Sequence, residues 1–197
     1  LLAYGEEVGI GHHRYADIIL KDLLKALASM SWPVKFAHSY PAAIEKGNNR
    51  FTAKKDRKLT MQRALDCIES HLSVEDILVA DIGDSLFGST DMLVEKDGYL
   101  SCSYFANMGF CLPGAIAMKF AREKRRVVAL VGDGAFQMTG QELSTLIRHK
   151  FHHICIVLDN KGYGTERFLH PGDFNEINPW QYHKLPEVYG GGKGYEV

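Results

Sequence analysis

Three unbroken apolar runs constrain this chain more than anything else in it: Ile77-Leu78-Val79-Ala80, Val127-Val128-Ala129-Leu130-Val131 and Ile154-Cys155-Ile156-Val157-Leu158. A strand with one wet face alternates apolar and polar residues, so a strand apolar at every position must be covered on both faces. A helical pattern precedes each run. Met61, Ala64, Leu65, Ile68 and Leu72 form one stripe behind a possible Thr60 cap. A second helix opens near Pro113, a residue favoured in a first turn, and ends at the basic Lys124-Arg125-Arg126. A third covers roughly Gly140 to Arg148. Helices alternating with fully buried strands predict a doubly wound α/β domain, a parallel sheet with helices on both faces.

Such sheets bind ligands beyond the carboxyl ends of their strands. Those positions hold Asp81-Ile82-Gly83-Asp84-Ser85, Gly132-Asp133-Gly134 and Asp159-Asn160-Lys161-Gly162-Tyr163-Gly164, all polar, small and glycine-rich. A carboxylate between two glycines lets backbone N–H groups and a hard cation approach the same phosphate oxygens, although Asp-Gly is equally an ordinary turn dipeptide. Between Gly134 and Asn160 lie 25 residues, positions 135 to 159, enough for one helix and one return strand. Asp133 and Asn160 are thereby expected at neighbouring strand ends, and two side-chain oxygens plus a carbonyl suit Mg²⁺, which keeps few protein ligands.

Gly132-Asp133-Gly134, the following Gln137-Met138-Thr139-Gly140-Gln141-Glu142 and Asn160 together resemble the binding motif of thiamine diphosphate enzymes. Asn160-Lys161-Gly162-Tyr163-Gly164-Thr165-Glu166 further resembles the pyruvate decarboxylase and indolepyruvate decarboxylase branch of that family. The resemblance implies Mg²⁺ held by Asp133, Asn160 and the Gly162 carbonyl. It implies a diphosphate held at Gly132 and by the N–H groups of Gly134 and Ala135, with Glu166 as the proton-handling acid. Met108 falls where the family carries a bulky apolar side chain beneath the thiazolium, Asp84 and Ser85 match a segment near the pyrimidine ring, and Ala106 stands where a backbone carbonyl meets the amino group. Thr165 and Leu169 match pocket positions that hold isoleucine in pyruvate-specific members. The smaller threonine favours a larger 2-oxo acid, indolepyruvate or phenylpyruvate, over pyruvate. The implied reaction converts a 2-oxo acid to an aldehyde and CO₂. A carboligase of the acetolactate synthase type is disfavoured by Glu166, and a non-catalytic phosphate-binding α/β module is the alternative from another class.

Domain organisation follows the same resemblance. Residues 1–30, with a strand-like piece at Val8 to Ile10 and a helix from about Tyr15, are expected to end a preceding middle domain. Residues 31–57, with Pro33, Pro41 and Gly47-Asn48-Asn49, read as a linker. Residues 58–197 are expected to form the diphosphate-binding domain, truncated at its C-terminus in a strand at Tyr195-Glu196-Val197. The family's pyrimidine-binding domain, with its activating glutamate, is the expected missing partner, in a homodimer or homotetramer. The chain alone is expected to be inactive.

The bulk numbers agree with an ordinary cytoplasmic enzyme. Basic and acidic residues balance at 23 and 24, and no long apolar stretch or like-charge block suggests a membrane or nucleic-acid partner. Cys67, Cys102, Cys111 and Cys155 form no CxxC pair and read as reduced, mostly buried hydrophobes. His12-His13 sits at an expected strand-to-helix turn, which disfavours a catalytic role for the pair, and His152-His153, after the basic helix end Arg148-His149-Lys150, reads as a surface pair. Taken singly, Met108 reads equally as core filling and Glu166 as a solvated loop residue.

Overall fold

The computed structural model describes residues 2–4, 6–31 and 51–197. The chain divides into two compact units, Leu1–Glu45 and Lys46–Val197.

In the first unit, β1 (Leu2–Tyr4), β2 (Glu7–Ile10) and β3 (His13–Tyr15) pair antiparallel in sequence order, followed by helix α1 (Leu20–Ser29). Ile10 pairs with His13, so Gly11 and His12 make a two-residue hairpin turn, with Gly11 at φ +59. A positive φ at only the first turn residue is the type II′ geometry that suits strand twist. His12-His13 therefore lies at a strand-to-strand turn, not the strand-to-helix turn expected, and both histidines are exposed. The helix also begins later than Tyr15. Tyr15 pairs with Val8, and Asp17 at φ +60 breaks the chain before α1 can start. The linker expected over 31–57 lies outside the described residues from 32 to 50, and 51–57 carry no helix or strand.

The second unit is built on a parallel sheet in the order β5-β4-β6-β7, comprising β4 (Asp76–Ala80), β5 (Tyr99–Ser101), β6 (Arg126–Gly132) and β7 (His153–Leu158). Helices α2 (Met61–His71), α3 (Asp84–Ser89), α4 (Cys111–Ala121), α5 (Asp133–Thr139), α6 (Leu143–Arg148), α7 (Gly164–Leu169) and α8 (Leu185–Val188) surround it. Side chains alternate across a strand, so the apolar runs feed two cores at once. Ile77, Val79, Val127, Ala129 and Val131 pack with Cys111, Leu112, Ala115, Phe136 and Leu146 on one face. Leu78, Val128 and Leu130 pack with Leu65 and Met92 on the other. Each fully buried aliphatic side chain contributes roughly 1.5–3 kcal/mol, which is why Ile77 to Ala80 and Val127 to Val131 are apolar throughout; β7 lies at the sheet edge, and its Ile154 is 41% exposed.

Local chemistry accounts for the ends of the elements. Thr60 caps α2 by accepting the Arg63 N–H at 3.4 Å. At the amino end of the sheet Arg126 grips the buried Asp76 carboxylate with two parallel hydrogen bonds, both 2.6 Å, pinning β6 to β4. Burial alone would raise the Asp76 carboxyl, but the hydrogen bonds from Arg126 and Ser73 outweigh it and hold the group below its ordinary range.

Four expectations change. The helix placed at Gly140 to Arg148 begins seven residues earlier, at Asp133, directly after β6, and passes through a short 3-10 turn at Gly140–Glu142 into α6. The Gly132-Asp133-Gly134 segment is thus a helical first turn rather than a loop. The helix placed at Pro113 begins at Cys111, putting the proline third, still within the first turn where its missing N–H costs nothing. The edge strand β5 was not anticipated, because Tyr-Leu-Ser is too short to show periodicity. Residues 195–197 form no strand.

Candidate functional site

The carboxyl ends of β4, β6 and β7 are adjacent in the sheet, and the segments leaving them enclose a cleft of about 270 Å³. Asp81, fully buried at the end of β4, shapes one wall. Its carboxylate accepts the Cys111 N–H at 2.8 Å, the Ile82 N–H at 2.9 Å and the Gly109 N–H at 3.2 Å. Burial pushes the Asp81 carboxyl up while these hydrogen bonds pull it back. One side chain thereby fixes both the start of α4 and the preceding loop, which carries Ala106 at φ +53 and Met108. Sequence reading quoted Asp81 only as part of a strand end; its burial was the missing signal.

Asp133 lies at the floor, 1% exposed. Its Oδ1 accepts the Gly134 N–H at 2.8 Å and its Oδ2 accepts the Gly162 N–H at 2.9 Å. Burial raises the Asp133 carboxyl above its ordinary range, those two hydrogen bonds oppose the shift, and the nearby Asp159 charge adds to it. Such a group is stabilised by a neighbouring cation. Across from it, Asn160 donates through Nδ2 to Asp84 Oδ2 at 3.3 Å, while its Oδ1 is buried and accepts no hydrogen bond. An acceptor oxygen buried without a donor is costly, and a cation or ligand donor relieves it.

The glycines around this pair are places where a side chain cannot fit. A Cβ on Gly134 would stand 2.6 Å from the Tyr163 ring, and one on Gly164 would stand 2.5 Å from Asn160 Nδ2. At Gly162, with φ +146, a Cβ would overlap the Asn175 carbonyl and stand 2.6 Å from Arg167 Nη2, so only hydrogen is accommodated.

Of the residues singled out from sequence, Asp84, Ala106, Met108, Gly132, Asp133, Gly134, Ala135, Asn160, Gly162, Thr165 and Glu166 line the cleft together. Met108 also packs against the core, so both of its readings apply. Glu166 and Asp84 sit on the exposed side and Asp133 on the buried side. Ser85 and Leu169 do not line the cleft. Ser85 is 1% exposed within α3, its Oγ buried without a hydrogen bond, and Leu169 is 74% exposed one helical turn beyond Thr165. Ile82, Gly83, Phe87, Leu158, Tyr163 and Gly164 also line the cleft and were not singled out. Gly83 and Tyr163 stand inside the quoted motif segments and could have been carried with them; Phe87 carried no signal.

The donor set is all oxygen and sparse. Among the described residues no group of three or more His, Cys, Asp or Glu side chains could hold a metal. A cation here would rely on the Asp133 carboxylate, the Asn160 amide oxygen and backbone carbonyls, completing its shell with oxygens from a bound group. That is the pattern of Mg²⁺ beside a phosphate, and the buried unpartnered Asn160 Oδ1 fits it. The four cysteines are free and none lines the cleft; burial pushes the Cys155 thiol up to about 12.

Comparison with known proteins adds an independent line. Residues 81–197 match the family model described as thiamine pyrophosphate enzyme, C-terminal TPP binding domain. The chain is 28% identical over 196 residues to a probable pyruvate decarboxylase of Schizosaccharomyces pombe, covering 96% of this chain and 34% of that protein. It is 31% identical over 202 residues to an indole-3-pyruvate decarboxylase of Azospirillum brasilense, covering 96% and 35%. It is 34% identical over 139 residues to an alpha-keto-acid decarboxylase of Mycobacterium bovis, covering 69% and 25%. The chain thus spans about a third of the length of the first two relatives and a quarter of the third. Among the described residues no helix is long and apolar enough to cross a membrane.

Proposed function

The chain belongs to the thiamine pyrophosphate enzymes through their C-terminal TPP-binding domain, and from that premise we propose that it forms the diphosphate- and metal-holding half of a 2-oxo acid decarboxylase site. The reaction assigned is non-oxidative decarboxylation of a 2-oxo acid to an aldehyde and CO₂ with thiamine diphosphate and Mg²⁺. The observation that carries the reading is the pairing, at adjacent strand ends, of a buried carboxylate on Asp133 with a buried unpartnered oxygen on Asn160, beside the cleft-lining Glu166.

In this reading Asp133, Asn160 and the Gly162 carbonyl hold the metal. Gly132, Gly134 and Ala135 would hold the diphosphate, Met108 and Ala106 would support the rings, and Asp84 would stand at the pyrimidine end, with the buried Ser85 behind it in α3. When bound, thiamine diphosphate supplies the electron sink for the bond broken as CO₂ leaves. The chain's own residues orient and protonate. Glu166, at the exposed side of the cleft, is placed to hand a proton toward the product and regain one from water. Asp133 and Asn160 would anchor the charge of the metal and the diphosphate.

The pocket beside Glu166 is bounded by Thr165, while Leu169 stands clear of the cleft. A threonine leaves more room than a longer branched side chain, which supports an aromatic or branched 2-oxo acid such as indolepyruvate or phenylpyruvate. The division into two compact units and the family match over residues 81–197 support residues 1–30 as the end of a preceding domain and 58–197 as the diphosphate-binding domain; the greater length of the relatives supports a further, pyrimidine-binding domain, and the homodimer or homotetramer rests on the family resemblance alone. Cytoplasmic residence belongs to the same reading, supported by the four free cysteines.

Two measurements test it, the first on this chain and the second on this chain combined with the pyrimidine-binding domain. Thiamine diphosphate should bind in a Mg²⁺-dependent way that ATP and NAD do not reproduce; equal binding of all three supports a general phosphate-binding module instead. Across a panel of 2-oxo acids the product should be an aldehyde, and a hydroxyketone as sole product transfers the chain to the carboligases.

A further inference from the structure

Arg167 takes no part in the roles assigned above, yet its guanidinium makes four hydrogen bonds at the edge of the site. Nε donates to Glu176 Oε1 at 2.9 Å and Nη2 to Glu176 Oε2 at 2.7 Å, a bidentate fork on one carboxylate. Nη1 donates to the Asn160 carbonyl at 3.1 Å and Nη2 also donates to the Lys161 carbonyl at 2.6 Å. We propose that Arg167 is a positioning residue: clamped by Glu176, it holds the main chain of residues 160–162 in the conformation that presents Asn160 and Gly162 to the metal. The inference rests on the metal-binding role proposed for those two residues.

The segment needs holding. Lys161 at φ +64 and Gly162 at φ +146 occupy backbone conformations that a free loop would leave, and strain of this kind persists only where surrounding contacts over-determine it. Several contacts converge here. Tyr163 donates its N–H to the Asn175 carbonyl at 2.8 Å, Gly162 bridges Glu176 in antiparallel fashion, and the buried Asn175 donates through Nδ2 to the His170 carbonyl at 2.8 Å. Arg167 joins both sides of that return, grasping two carbonyls on one strand and a carboxylate on the other.

Gly162 belongs to the same device. A Cβ there would stand 2.6 Å from Arg167 Nη2, so the guanidinium crosses the glycine where only a hydrogen fits. Because Arg167 follows Glu166 directly in α7, the clamp also fixes the spacing between the proposed proton donor and the loop carrying Asn160. The charge arithmetic suits a cation site, since Glu176 neutralises the guanidinium beside it. Lysine could pair with Glu176 but is a single point donor and cannot serve all four acceptors in fixed geometry.

The test uses the full chain with Arg167→Met, Arg167→Lys and Glu176→Gln. Amide hydrogen exchange without ligand should accelerate by roughly tenfold or more at residues 160–164 in Arg167→Met while β6 amides keep their protection. The Mg²⁺ concentration half-saturating thiamine diphosphate binding, followed by calorimetry, should rise roughly tenfold or more. Arg167→Lys should recover part of both losses and Glu176→Gln should show smaller losses in the same places. Unchanged exchange at 160–164 with unchanged Mg²⁺ dependence overturns the clamp. If Arg167→Met also loses β6 protection, the other two variants decide. Loosening confined to 160–164 supports the clamp, and no change or global loss overturns it. Wild-type protein without Mg²⁺-dependent binding removes the decarboxylase reading, whereas the exchange result still decides whether Arg167 holds the loop.

Discussion

Gly162 donates its N–H to Asp133 Oδ2 at 2.9 Å, joining the turn after β7 to the first residue of α5 across 29 positions of sequence. The two strand ends proposed to hold the metal are therefore coupled before any ligand arrives. In the proposed site Asp133 would both offer an oxygen to the cation and, through the Gly162 N–H, set the backbone that offers the others. Asp133→Asn keeps one acceptor oxygen and the shape; Asp133→Ala removes both. Both substitutions should weaken Mg²⁺-dependent thiamine diphosphate binding by roughly 100-fold or more, by calorimetry, because the charge is gone in each. Loosening of residues 160–164 in hydrogen exchange should be larger for alanine than for asparagine.

Gly162→Ala should be among the least tolerated changes in the chain. The new Cβ meets the Asn175 carbonyl and Arg167 Nη2, and the backbone sits at φ +146. A loss of about 2–4 kcal/mol in denaturant unfolding is expected, from backbone incompatibility and overlap combined. Gly132, whose Cβ would meet nothing within 4 Å, provides the control: its change to alanine should cost under about 1 kcal/mol.

Glu166→Gln should separate chemistry from folding. Glu166 is exposed and caps no helix, so its melting temperature should match wild type within a degree or two. In this chain combined with the pyrimidine-binding domain, thiamine diphosphate and Mg²⁺, turnover of a 2-oxo acid should fall roughly 10²–10⁴-fold, the usual span for a lost general acid or base. Undiminished aldehyde formation would remove Glu166 from the mechanism.

The Arg126–Asp76 pair predicts a pH dependence of stability. The folded Asp76 carboxyl is held below its ordinary value, so the stability it contributes is fully present above about pH 4. It is lost as pH falls through the folded value. Arg126→Met leaves a carboxylate that is only 4% exposed, and should cost about 2–3 kcal/mol at pH 7. Asp76→Asn, which leaves no buried charge, should cost less. The Arg126→Met penalty should shrink toward pH 3, where protonation removes the unpaired charge; a penalty independent of pH contradicts the assignment.

Much of the α/β core was legible because burial on both faces leaves a plain mark. Strands such as Val127 to Val131 have no solvent-facing position to fill with a polar residue, and their lengths and spacing carried the parallel order with them. The neighbourhood of Asp133 and Asn160 was legible for a related reason: each stands within two residues of the end of such a strand. Element starts were less legible. Asp133 reads as a turn residue by propensity, and only the geometry in which its carboxylate takes the Gly134 and Gly162 N–H groups makes it a helical first turn. Leu169 illustrates the opposite error, since family spacing put it at the pocket while the helix carries it a turn beyond the cleft.

The sequence by itself determined the buried strands β4 and β6, which strand ends carry oxygen-bearing side chains, and the family, because apolar periodicity and motif spacing are local or near-local properties; it did not determine that β7 lies at the sheet edge with Ile154 41% exposed. Tertiary structure alone decided how those ends are held. Asp81 reaches the loop around Gly109, and Arg167 spans Asn160, Lys161 and Glu176. The physical reason is that hydrogen bonds to backbone carbonyls and amides depend on position and not on residue identity, so the acceptors of Arg167 leave no trace in the order of the amino acids.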